Sequence, residues 1–196
     1  MAHGARWGNS LSLGLGLLAA AGGALATIGH DSCVAFESSS STFSVVSEQK
    51  AAPILISPDE WPGVQRAAYD FVSDILAVTG VKPAFKNVTS TQSPSSDGPS
   101  VIIVGTLGKS SLINDVVNRT KLDVSGIQGK WESFVTKEVE NPLPGIDSAY
   151  VIVGADKRGT IFALYEHSEQ FGTFPQLWDS ELGLTFSGIG VSPWYW

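Results

Sequence analysis

Val101-Ile102-Ile103-Val104-Gly105-Thr106-Leu107-Gly108-Lys109-Ser110 and Tyr150-Val151-Ile152-Val153-Gly154-Ala155-Asp156-Lys157-Arg158-Gly159-Thr160 are built alike: an unbroken apolar run, a glycine-bounded turn, then the start of a helical pattern. A strand with no polar alternation is covered on both faces, so each run predicts a buried, central strand. Two strands that each feed a helix through a short turn predict a sheet with helices packed on it.

Ser110 to Asn118 continues the first unit as a short helix. Thr160 to Phe171 continues the second, with Ile161, Leu164, Tyr165 and Ser168 at helical spacing and Thr160 placed to cap. Upstream, Phe43-Ser44-Val45-Val46 and Ile54-Leu55-Ile56 read as strands. Pro58-Asp59-Glu60-Trp61-Pro62 then starts a helix to about Val78, with acids near its start and proline in its first turn. Val64, Ala67, Ala68, Phe71, Val72, Ile75 and Leu76 give that helix an apolar face, and Gly80 ends it. Lys82 to Val88 is a weaker strand, Thr89 to Pro99 a polar loop, and Trp131 to Val139 an alternating strand with one wet side. The expected fold is α/β, or a related α+β domain: a two-layer sandwich of a mixed sheet with helices packed on it.

A chain of 196 residues, 43% hydrophobic and 16% charged, can bury a real core in one domain. Its net charge of −7 lacks the basic footprint that nucleic acid demands. The single cysteine, Cys33, excludes an internal disulfide framework and paired-cysteine zinc; it is either a thiol with an outside partner or an idle one. Residues 1–26 read as a signal peptide: His3 and Arg6 precede an apolar stretch from Leu11 to Ala21, and Ala24-Leu25-Ala26 is a small-x-small cleavage site. Glycines interrupt that stretch short of the ~20 apolar residues that span a bilayer, so no membrane contact is expected after cleavage. Secretion would open the sequons at Asn87 and Asn118 to glycosylation.

Gly105 to Ser110 resembles a phosphate-binding loop until its first required glycine is sought; Ile103 stands there, so the turn reads as a helix start. Asp156, Lys157 and Arg158, held between glycines, are either contacts for an anion or carboxylate or a solvated turn whose glycines supply unusual backbone angles. Glu166-His167-Ser168-Glu169 lacks the His-Glu-x-x-His spacing of a zinc helix, and neither a metal nor any other cofactor is implied. There is no serine nucleophile elbow and no pair of acids in a recognisable acid/base setting, so no catalytic residue is assigned. Trp194-Tyr195-Trp196 gathers three large rings, which serve either as a binding platform or as half of a domain interface.

Four stretches in order resemble the N-terminal region of the secreted xylan α-1,2-glucuronidases, glycoside hydrolase family 115, of fungal type. They are Ala51 to Ile56, Glu60 to Ala68, Val104 to Ser110 and Gly154 to Gly172. The resemblance implies an α/β domain like the second domain of β-hexosaminidases at 51–172, preceding a catalytic barrel that would follow these residues. Residues 27–50 would be an N-terminal extension with the first strand, and 191–196 the start of the linker to the barrel. It implies glucuronoxylan as the substrate of the full-length enzyme, an inverting mechanism in the barrel, and an inactive fragment here. Trp194, Tyr195 and Trp196 would then contact sugar at the cleft rim. In the resembled family Glu169-Gln170-Phe171-Gly172 runs directly into Val191-Ser192-Pro193-Trp194-Tyr195-Trp196. The intervening 173–190 is either an unspliced intron read as protein, for which its length is suited, or a genuine surface insertion. The competing reading of the whole is a non-catalytic secreted scaffold or carbohydrate-interaction module.

Overall fold

The computed structural model describes residues 34–35, 42–89 and 100–172, and the backbone of 188–191 and 194–195. The leader at 1–26, Cys33, most of the loop up to Pro99, residues 173–187 of the insertion and Trp196 lie outside the described residues. In chain order the elements are β1 (Val34–Ala35), β2 (Phe43–Ser47), β3 (Lys50–Ala51), β4 (Ile54–Ile56), α1 (Pro62–Thr79), β5 (Phe85–Asn87), β6 (Ser100–Thr106), α2 (Ser111–Thr120), β7 (Phe134–Glu140), β8 (Ser148–Gly154), α3 (Lys157–Gln170), β9 (Gly188–Val191) and β10 (Trp194–Tyr195).

The main sheet has the order β10-β7-β8-β6-β4-β5. Strands β5, β4, β6 and β8 are parallel, while β7 and β10 are added antiparallel at one side. The apolar runs sit in its centre, as their lack of alternation requires. Successive side chains of each run serve opposite cores. Ile54, Ile56, Ile102, Val104, Tyr150 and Ile152 face the layer made by α1 and α3, and this sheet-and-helix pair is the expected sandwich. Leu55, Val101, Ile103, Val151 and Val153 face α2 and the irregular chain around Leu122, Ile127, Leu143 and Ile146. A smaller antiparallel sheet, β1-β9-β2-β3, lays Phe43, Val45 and Val46 of β2 onto the α1/α3 side. The end of the insertion, Gly188 to Gly190, lies in β9 of that sheet.

Helix α1 begins with Pro62, whose missing N–H costs nothing in a first turn, and ends at Gly80 with φ 72°. The expected apolar face is buried except for Leu76, which is exposed. Helix α3 starts three residues earlier than expected because Thr160 is not its cap. Asp156 is: its Oδ1 accepts from the Gly159 amide at 2.7 Å. Thr160 lies inside the first turn, with its hydroxyl 2.8 Å from Thr106 Oγ1. Ala163, Leu164, His167 and Ser168 are buried, whereas Tyr165 is exposed and donates to Asp70 Oδ2 at 3.3 Å.

His167 is fully buried, between the rings of Phe71 and Tyr150. Its Nδ1 lies 2.6 Å from the Ala163 carbonyl, which can only accept, so Nδ1 carries the proton. Its Nε2 lies 2.9 Å from Tyr150 Oη, which also lies 3.0 Å from Thr136 Oγ1. Burial lowers the imidazole pKa, against the upward pull of the Ala163 carbonyl and of Glu166. The unfolded chain regains the ordinary value near 6.5, so below that pH it takes up a proton that the native state refuses. Stability is therefore expected to fall as pH drops below about 6.5, by at most ~1.4 kcal/mol per pH unit from this group. Urea midpoints at pH 7 and pH 5 check this, and His167→Gln should flatten the difference.

Candidate functional site: a cleft at the carboxyl edge of the sheet

All three helices begin at the carboxyl ends of parallel strands: α1 after β4, α2 after β6, α3 after β8. From β4 the chain crosses over α1 to β5 on one side; from β6 it proceeds by way of α2 to β7 and β8 on the other. Right-handed crossovers in opposite directions put α1 and α2 on opposite faces, as their separate cores show. The turns after β4 and β6 therefore part company. Such a switch point leaves a crevice beyond the strand ends, where open α/β sheets bind ligands.

The crevice is present as an open cleft of 540 Å³. Trp61 lines it from the β4–α1 turn, Thr106 to Lys109 from the β6–α2 turn, and Ala155 to Lys157 from the β8–α3 turn. Its walls are held by buried hydrogen bonds. Glu60, only 3% exposed, accepts from the Thr106 amide at 2.7 Å and the Trp61 amide at 2.8 Å, which locks the first turn to the second. Asp59 accepts from the Ser111 amide at 3.3 Å. Burial pushes the Asp59 pKa up, but hydrogen bonds from Ser57 and Ser111 and the Lys109 charge outweigh it and leave the carboxyl below its ordinary range.

The β6–α2 turn has no amides to spare. Thr106 N–H goes to Glu60, Leu107 N–H to the Gly154 carbonyl, Gly108 N–H to Asn114 Oδ1, and the Lys109 and Ser110 amides to the Thr106 carbonyl. A phosphate cradle needs such donors turned outward. Here they are consumed inside the fold, which is a stronger reason against phosphate binding than the missing glycine.

The three charges after β8 divide. Asp156 accepts from Gly159 through Oδ1 and from the Glu132 amide through Oδ2 at 3.1 Å. These two bonds, the Gly159 amide foremost, hold its pKa below the ordinary carboxylate range. Arg158 pairs with Glu132 at 2.9 Å and lies 5.6 Å from the Phe162 ring. Lys157 is exposed at the cleft, and half-buried Lys109 places its Nζ 4.9 Å from the Trp61 ring centroid. Among the described residues neither lysine has a carboxylate within ion-pair distance. Because Asp156 both caps α3 and ties it to Glu132, Asp156→Ala is expected to cost about 1–2 kcal/mol in a urea titration, with Asp156→Asn recovering part of it.

Asn87 on β5 and Asn118 on α2 are both exposed. Trp194 and Tyr195, described as backbone, pair as β10 with Lys137 and Thr136 of β7. That strand points toward Phe134, which pairs with Gly154, so it runs toward the cleft edge. Among the described residues no group of three or more His, Cys, Asp or Glu is placed to hold a metal ion. No helix among them is long and apolar enough to cross a membrane. Sequence reading missed Trp61 and Lys109 as partners of Lys157. Each stands in the turn after a parallel strand, and that shared position was the available signal.

These features define a class: an α/β module with a mixed sheet, parallel at its centre, and a cleft at its switch point. No family model matches the chain, and no curated protein sequence does. Among solved structures the fold is similar to part of BtGH115A, a family GH115 4-O-methyl-α-glucuronidase with specificity for decorated arabinogalactans. The TM-score is 0.53 and the identity 24%, over 75% of this chain and 17% of that one. The chain thus spans a small part of that protein's length, and the likeness is one of fold, to a portion of a glycoside hydrolase.

Proposed function

We propose that this chain is the amino-terminal α/β module of a secreted glycoside hydrolase that removes (4-O-methyl)glucuronic acid from glucuronoxylan, and that hydrolysis belongs to a barrel outside these residues. The observation that carries the reading is the fold likeness to one portion of a much longer glucuronidase. The four family-like stretches, in the same order along the chain, support it. Inverting hydrolysis needs an acid and a base ~6.5–9.5 Å apart across the sugar. The acids nearest the cleft, Asp59, Glu60 and Asp156, are each engaged by backbone amides, which suits a support role better than proton transfer. In this reading Trp194, Tyr195 and Trp196 lead toward the barrel and contact sugar at its rim, Asn87 and Asn118 carry glycans, and 173–190 is a retained intron.

The test compares this chain with a product extended through the downstream reading frame, on glucuronoxylan and on a decorated arabinogalactan. The extended product is expected to release glucuronic acid from glucuronoxylan, and the chain alone to release none. Turnover by the chain alone overturns the reading. So does an extended product that is inactive on both polymers.

A further inference from the structure

We infer that the carboxyl-edge cleft is a subsite for a hexuronic acid, recognised through its carboxylate by Lys109 and Lys157 and through its ring by Trp61. This rests on the glucuronidase reading above and assigns the module a binding task that the reading does not require.

The cleft falls within the ~300–1,000 Å³ range of small-molecule sites and lies where the strand order reverses. Its lining carries two lysines, Lys109 and Lys157, against one acid, Asp156, in a chain whose net charge is −7. The nearby carboxylates are already engaged: Asp59, close enough for the Lys109 charge to lower its pKa but not in ion-pair contact, accepts the Ser111 amide, Glu60 and Asp156 accept backbone amides, and Glu132 holds Arg158. That leaves two ammonium groups, from different turns, without an ion pair among the described residues. The side chains that carry them flank the same opening. With the amides of the β6–α2 turn used internally, an anion there has side-chain donors to meet. Ammonium groups favour a compact charge such as a carboxylate.

The third wall selects among carboxylates. Trp61 is 43% exposed despite its size, and its ring stands beside Lys109 rather than in the core. An aromatic surface next to a cation offers apolar contact to the C–H groups of a pyranose while the charge takes the acid. A simple carboxylate such as acetate satisfies only the lysines, and a neutral sugar only the tryptophan.

The experiment is a titration of the full chain with sodium glucuronate, with glucose and sodium acetate as controls, read by tryptophan fluorescence and by amide chemical shifts in 106–109 and 155–157. Glucuronate is expected to bind more tightly than either control. Lys109→Met and Lys157→Met should each weaken it about tenfold or more, with rising salt weakening it in the parent. Trp61→Phe should retain most of the binding that Trp61→Ala loses, and urea midpoints confirm that the variants are folded. Absence of binding, affinity unchanged in both lysine variants, or acetate binding as tightly as glucuronate overturns the subsite. The polymer assay of the extended product is a separate readout. Release of glucuronic acid without glucuronate binding by this chain overturns the subsite alone, and binding here without release by the extended product overturns the enzyme reading alone.

Discussion

Alanine at Gly154 or at Gly159 is expected to destabilise the fold by more than about 3 kcal/mol, beyond the common range for one added methyl group in a core. A Cβ on Gly154 would stand 2.2 Å from the Thr160 amide nitrogen, and one on Gly159 would stand 2.2 Å from the Ser133 carbonyl oxygen. The obstructing atoms are backbone, so no rotamer change relieves the clash. To admit the methyl group, the first turn of α3 must lift off β8 or the start of β7 must move away, and either motion breaks the Asp156 bonds as well. Gly63→Ala is the control. Its Cβ would meet only Ile161 Cδ1 at 3.6 Å, an ordinary contact, and the helix should gain up to ~1 kcal/mol. Urea midpoints of the three variants decide the matter: a Gly159→Ala protein as stable as the parent would show that α3 does not seat this closely.

Glu60→Ala should cost about 2–3 kcal/mol, the next largest effect. The side chain is buried at the junction of two turns, and its removal leaves the Thr106 amide with no partner in a place where that residue is 2% exposed. A buried donor left unmade carries the whole desolvation penalty rather than the small net value of a made bond. Glu60→Gln keeps one carbonyl acceptor but sets an NH2 group against an amide, so it should fall between alanine and the parent. The readout is again the urea midpoint, supported by amide exchange at Thr106, which should quicken in the alanine variant before exchange in β8 changes. Equal exchange at both places would mean that Glu60 does not join the turns.

The sheet was legible because the signal was strong and local. Val101 to Val104 and Tyr150 to Val153 have no polar residue to place at a surface, and all eight are buried in the centre of the sheet. The face of α1 was legible for the same reason. The start of α3 was not, because Asp156 and Thr160 are both good caps, and which one serves depends on where Glu132 and Thr106 stand across the fold. One of the two readings of that turn has its glycines supplying unusual backbone angles. Neither Gly154 nor Gly159 has a positive φ, and both are needed for close approach, which no single-sequence pattern encodes. His167 likewise looked like part of a polar cluster, and only the packing of α3 on the sheet and α1 places it in the core beside Tyr150 and Phe71. The cleft was half visible. The sequence marks Asp156, Lys157 and Arg158 together as candidates and the first two line the cleft, but Trp61 and Lys109 join them only because the order of strands brings three distant turns together.

The pairing of β10 with β7 gives Trp194–Tyr195 a second duty that is independent of what their rings contact. Strand β7 is long and, against the expected single wet side, is buried on both faces, at Val135 and Val139 on one and at Thr136 on the other, and its outer row of amides and carbonyls is an adhesive seam wherever it is left bare. A product shortened to end at Gly172 would uncover that seam, and its first fault would be self-association through the sheet margin rather than loss of the interior. Any attempt to isolate the module should therefore carry the chain past Tyr195, so that the strand shielding the margin is kept.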